Sequence, residues 1–183
     1  MLKKILSYGL ASGLIVGIPL SAISIAMNGH GLLEYGMLIG YTTMLVALSL
    51  VFMAIKHQRD EEQGGVIGFW PAFGLGLGIS FVASVVYVLS WETAVAITHM
   101  DFASTYAHAL IEQQKAKGTS GEALVKFIAE MEQFKTDYAN PLFRLPMTFI
   151  EIFPVGVLVS LASAGLLCNR RFLATRVGGA AAV

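Results

Sequence analysis

Four stretches of this chain are long and apolar enough to cross a bilayer, and that feature alone confines the fold. About 20 apolar residues span the roughly 30 Å of hydrocarbon, where every backbone N–H and C=O must be satisfied within the protein. For isolated runs of this length the helix is the form that does so. The first stretch runs from about Ile5 to Met27, behind Lys3 and Lys4, and the second from about Leu32 to Ile55, ending at Lys56-His57-Gln58-Arg59. The third starts near Phe69 and continues to Ile97, and the fourth occupies about Leu145 to Cys168. The basic start and the Ser24-Ile25-Ala26 pattern of the first stretch resemble a signal peptide. Its apolar run exceeds the roughly 7–15 residues of such a peptide, so it reads as a span. Composition agrees, since 13% of residues are charged, against about 25% in soluble domains. With zero net charge and no long basic run, the bilayer is the expected partner and nucleic acid is not.

Lysine and arginine set the expected orientation. Lys3, Lys4, Lys56, Arg59, Arg170, Arg171 and Arg176 occupy three sites that an even number of spans places on one side, and the Asn28-Gly29-His30-Gly31 turn has none. The positive-inside rule puts both termini and the 56–68 loop in the cytoplasm, with the tail 169–183. Residues 98–144 are then external; they carry lysines but also six acids. Trp70 and Trp91 are placed where aromatic belts sit at the two interfaces.

The external segment has its own pattern. Phe102, Tyr106, Ala109 and Leu110 recur at helical spacing, as do Leu124, Phe127, Ile128, Met131, Phe134 and Tyr138. Glu122, Lys126 and Glu130 stand i, i+4 on the opposite face. Thr119 followed by Glu122 has the form of a capping box, and Asn140-Pro141 ends the second helix. Two amphipathic helices joined at Lys117-Gly118-Thr119-Ser120 are expected to cap the outer face of the bundle.

Small residues repeat every fourth position: Gly9, Gly13, Gly17 and Ser21; Gly36 and Gly40; Gly68, Ala72, Gly76, Ser80 and Ser84; Gly156, Ser160 and Ala164. Within lipid no hydrophobic force joins helices, so small side chains that admit close backbone approach favour packing. A second strip on the third span, Gly74 and Gly78, leaves a face for a second copy or a membrane-complex partner.

Three carboxylates lie within or beside the spans: Glu34, Glu92 and Glu151. Alternating span direction brings all three toward the external leaflet. Ionisable residues at such depth are costly and face the bundle interior or a cavity. Pro154 lacks an N–H and so frees the Ile150 carbonyl beside Glu151. Glu34, Glu92, Glu151 and Arg144 are therefore the candidate polar pocket, with His30, His99 and Asp101 at its rim. Two readings stay open: a structural lock in which Glu151 bonds serine, tyrosine or Arg144, and a proton- or cation-binding pocket. No zinc signature, P-loop, nucleophile elbow or dinucleotide-binding glycine pattern is present, so no catalytic residue, cofactor or metal is expected. The Arg59-to-Gly65 segment reads as a charged turn whose glycines reverse the chain, with docking of a cytoplasmic partner as the alternative, and Cys168 as a small buried residue.

The stretch from Arg59-Asp60 through Gly64-Gly65-Val66-Ile67-Gly68-Phe69, and Phe149-Ile150-Glu151-Ile152-Phe153-Pro154, resemble a family of small bacterial four-span membrane proteins classed as a domain of unknown function. The resemblance covers most of the chain apart from the C-terminal tail. It implies the topology and a bacterial inner-membrane address, and no activity. The expectation is an all-α, single-domain integral membrane four-helix bundle. Its spans are about 5–27, 32–55, 69–97 and 145–168, with an external amphipathic hairpin within 98–144. Functionally the chain reads as a non-enzymatic accessory or scaffold subunit, homo-oligomeric or in a larger complex. The alternative is a small transporter or channel-like protein.

Overall fold

The computed structural model describes residues 1–26, 37–99 and 101–173. Glu34, His30 and Gly36 lie outside them. The fold is all-α. Four helices meet the length and hydropathy of membrane spans: α1 (Leu2–Ala26), α2 (Met37–His57), α3 (Phe69–Thr98) and α6 (Pro141–Leu167). Two shorter helices, α4 (Phe102–Ala116) and α5 (Gly121–Tyr138), form the hairpin between α3 and α6. α3 packs most extensively, against α1 on one side and α6 on the other, and α2 closes the bundle by packing on α1 and α6.

Two close seams hold these helices. On the first, methyl groups at Gly9, Gly13 and Gly17 of α1 would stand 2.6 Å from Val82 Cβ, 2.5 Å from Val86 Cβ and 2.5 Å from Ser90 Oγ. The i, i+4 row of one helix therefore lies directly on an i, i+4 row of the next. The second seam is reciprocal, with Gly76 of α3 against Ser160 and Gly156 of α6 against Ser80. Ser80 and Ser160 are 3.2 Å apart, and Ser160 Oγ also donates to the Gly156 carbonyl. Ser12 Oγ donates to the Ala47 carbonyl, joining α1 to α2. Close approach here satisfies hydroxyls that lipid would leave unpaired. Among the described residues Gly40 has only an ordinary contact with Leu20. Gly78, expected on a free face, is occupied by Ile5 of α1, whereas Gly74 is open.

At the end opposite the hairpin the chain turns through one π-helical turn, Gln58–Glu62. Gly64 and Gly65 then reverse it at φ +63° and +88°, a region that strains residues bearing a Cβ. The charged turn expected from sequence is only part of the picture, because Arg59 is buried. Its Nη1 donates to the Phe172 carbonyl and its Nη2 to the Leu173 carbonyl, both at 2.8 Å, and Nε to Asp60 Oδ1 at 2.6 Å. Lys56 also donates to Asp60, and Lys4 pairs with Glu62 at 2.8 Å. The N-terminus, the 56–65 turn and the segment after α6 thus meet at one end. Cys168, expected to be buried, is exposed there, because it follows the last inward residue, Leu167.

The helix termini carry one further correction. Thr119 does not cap α5: its hydroxyl donates to Gln114 Oε1 and its N–H to the Gln114 carbonyl. Gly118 at φ +85° closes α4, so Thr119 is used by the helix before it and Ser120 takes the N-cap position without a side-chain bond. Asn140, by contrast, ends α5 and caps α6, accepting from the Leu142 N–H ahead of Pro141 at the first helical position.

Candidate functional site

Two polar layers lie at the outer end of the bundle. The upper one is built where α3 leaves it and α6 enters. Arg144, in the first turns of α6, donates from Nε and Nη2 to the two oxygens of Glu92 on α3, both at 2.6 Å. This fork places both carboxylate oxygens in charge-assisted bonds, a geometry an ammonium group cannot reproduce. Arg144 Nη1 reaches the Tyr138 carbonyl at 3.4 Å, and its guanidinium lies 5.7 Å from the Tyr138 ring centroid. Trp91, one residue before Glu92, donates its indole N–H to Tyr138 Oη at 2.9 Å.

An aromatic chain continues the layer into the hairpin. Trp91 meets Phe102 edge to face, Phe102 stacks on Tyr106, and Phe134 lies against both Tyr106 and Tyr138. The amphipathic stripes foreseen in the hairpin supply these rings. Trp91 is therefore no interfacial belt residue: the hairpin covers it, and it is buried, while Trp70 at the other end is exposed. Burial pushes the Tyr138 phenol up to about 12. A cavity of about 180 Å³ lies under the hairpin, lined in part by Asp101, Lys135, Tyr138 and Arg144. Asp101 caps α4, accepting from the Ser104 N–H at 3.0 Å, and its bonds to Ser104 hold its carboxyl below the usual range. His99 ends α3 in the left-handed conformation at φ 52° and is exposed.

The lower layer is Glu151 with Tyr87. Glu151 stands seven positions after Arg144 on α6, about 10 Å deeper at 1.5 Å per residue. Tyr87 is buried among Val16, Met44, Ala47 and Ile152, and its hydroxyl donates to Glu151 Oε2 at 3.1 Å. Of the partners foreseen for Glu151, tyrosine is the one found; Arg144 is taken by Glu92. The direction of Glu151 differs from expectation. Ile152, Gly156, Ser160, Ser163 and Leu167 form the inward face of α6. Glu151 is about 100° around the helix from Ile152 and is exposed, along with Met147, Pro154 and Leu158. The carboxylate thus rests against the bundle wall on one side and opens outward on the other.

Chemically, the upper layer engages both Glu92 oxygens with one guanidinium. The lower layer retains acceptor capacity at Glu151. Among the described residues no group of three His, Cys, Asp or Glu side chains is placed to hold a metal ion. Tyr87 and Tyr138 were not foreseen as site residues, and Arg59 was expected in a charged turn rather than buried. The spacing of Ser80, Ser84, Tyr87 and Trp91 along one face of α3 is the signal that marks Tyr87 and Trp91 as inward.

A model of the family described as "Protein of unknown function (DUF4199)" matches residues 8–169. No curated protein and no solved structure matches the chain.

Proposed function

We propose a role for this chain, which belongs to the DUF4199 family of proteins of unknown function, as a non-enzymatic accessory or scaffold subunit of a membrane complex. We place it in the bacterial inner membrane with both termini cytoplasmic. The basic residues Lys3, Lys4, Lys56, Arg59, Arg170 and Arg171 gather at the end opposite the hairpin, and this supports the orientation. The observation that carries the functional reading is the closure of the outer end. Glu92 and Arg144 satisfy each other in a bidentate pair, and Trp91 and Tyr138 fasten the hairpin over them. Beneath, the α1–α3 and α3–α6 seams leave no room for even a methyl group at Gly9, Gly13, Gly17 or Gly156. A bundle locked in this way suits holding a neighbour better than opening a path.

The test is purification of the full chain from native membranes in a mild detergent, with its associated proteins quantified. A partner at fixed stoichiometry is the expected result. The chain recovered alone, together with a proton-linked flux in liposomes that Glu151→Gln abolishes, would replace this reading with a transporter. The outward carboxylate of Glu151 is the observation that favours that second reading.

A further inference from the structure

The outward face of α6 carries acceptors that the described chain does not fully satisfy. Among the described residues Glu151 receives one hydrogen bond, from Tyr87, whereas a carboxylate can accept about four. One turn before Pro154, the Ile150 carbonyl has lost its helical donor because proline has no N–H. Ile150 and Glu151 are both exposed, at a depth where lipid tails offer no donors. We propose that Glu151 and the Ile150 carbonyl receive the ammonium or guanidinium group of a basic side chain on a transmembrane helix of a different protein. This rests on the accessory-subunit reading and names the chemistry of its partner.

Charge complementarity selects that occupant. The lysines and arginines of this chain lie near the helix ends or outside the spans. Arg144, the one nearest in α6, stands about 10 Å higher and is engaged by Glu92. A second copy related by a two-fold axis would bring another Glu151 toward the first, which repels. Lipid amines reside at headgroup level, near Arg144 rather than Glu151. Below Glu151 the same face continues through Leu158, Ala162 and Gly165, all exposed, and among the described residues nothing lies within 4 Å of a methyl group placed at Gly165. A partner helix can therefore approach closely while its basic residue reaches the two acceptors.

The test uses the full chain in native membranes with a photo-crosslinking residue at Leu158 or Ala162, and Phe81 on another exposed face as control. The expected product from 158 and 162 is one segment of a different membrane protein carrying Lys or Arg within its span. Glu151→Gln is expected to lower its yield about tenfold, with the thermal midpoint of the purified chain unchanged. Replacing the partner's base by alanine should lower the yield equally, with this chain left wild type. Glu151→Lys combined with the partner's base changed to Glu should restore it. Crosslinks confined to lipid, to a second copy or to residues 27–36 of the same chain would overturn the proposal. A partner segment without a base, or a yield indifferent to Glu151→Gln, would do the same. If a stoichiometric partner co-purifies but its crosslink at 158 and 162 is indifferent to Glu151→Gln, only this inference fails; if no partner is found at all, the accessory reading fails with it.

Discussion

Replacing Gly13 by alanine puts a methyl group 2.5 Å from Val86 Cβ and 2.8 Å from the Ala83 carbonyl oxygen. Neither atom is the free end of a flexible side chain, so the helices must separate. Ordinary contact begins at 3.4 Å, so α1 must retreat from α3 by about 0.9 Å at this level. Gly9 and Gly17, one turn away on either side, lose their fit to Val82 and Ser90 as it does. Ser12, next to Gly13, is held to the Ala47 carbonyl at 3.1 Å, and a shift of this size strains that bond. Overpacking of this kind costs about 1–3 kcal/mol, offset by at most about 1 kcal/mol of helix propensity gained on replacing glycine. A net loss of about 1–2 kcal/mol is therefore expected. Gly74→Ala and Gly165→Ala serve as controls, because no described residue lies within 4 Å of either position. They should keep or gain stability, by up to about 1 kcal/mol, because the propensity gain is not opposed by a clash. Reversible unfolding of the three variants in the same mixed micelles measures the difference. Val86→Ala should relieve Gly13→Ala only in part, because Val86 Cβ and the Ala83 oxygen both remain. Equal losses at positions 13 and 74, or full rescue by Val86→Ala, would refute this account of the seam.

Arg144→Lys should weaken hairpin docking by about 1–3 kcal/mol, since lysine cannot span both Glu92 oxygens; faster hydrogen exchange across residues 102–138 would show it. Arg59→Met should cost about 3–5 kcal/mol, the scale for breaking a buried charge cluster that leaves Asp60 short of a partner, and should make the chain after Leu167 more sensitive to protease. The Tyr138 phenol is raised from 10.0 to about 12 in the folded chain. Its contribution is complete below pH about 10 and disappears as pH rises toward about 12. In a Trp70→Phe background, Trp91 fluorescence should report the hairpin loosening in that window, and Tyr138→Phe should remove the transition. Asp101 is held below its ordinary 3.8, so its cap stabilises α4 above that value and is lost as pH falls through the folded-state value. Asp101→Asn should leave the cap nearly intact and abolish that acid dependence of α4 helicity.

Much of this architecture was open to reading along the chain. Lipid demands about 20 apolar residues in a helix, so the spans at 69–97 and 145–168 coincide with α3 and most of α6. The first turn of α6 escaped because Leu142, Phe143 and Arg144 look like a connecting segment until Asn140 is seen capping it. The glycine ladder of α1 was legible for the same reason, as small side chains at i, i+4 make a strip on any helix. Which neighbour meets that strip was not, and Gly78 met Ile5 where a free face was expected.

The polar residues divide along the same line. That Glu92, Arg144 and Glu151 share one end of the molecule follows from alternating spans, a matter of counting residues at a fixed rise. Their pairing does not follow. Glu92 and Arg144 stand 52 positions apart, and Arg59 and Phe172 stand 113 apart; such contacts depend on how α3, α6 and the residues after α6 settle around one another. Local chemistry decides which segments must be helical and how deep each side chain lies. Only the packing of those helices decides which side each residue turns to its neighbours, and it buries Trp91 and Arg59 while leaving Glu151 open to the outside.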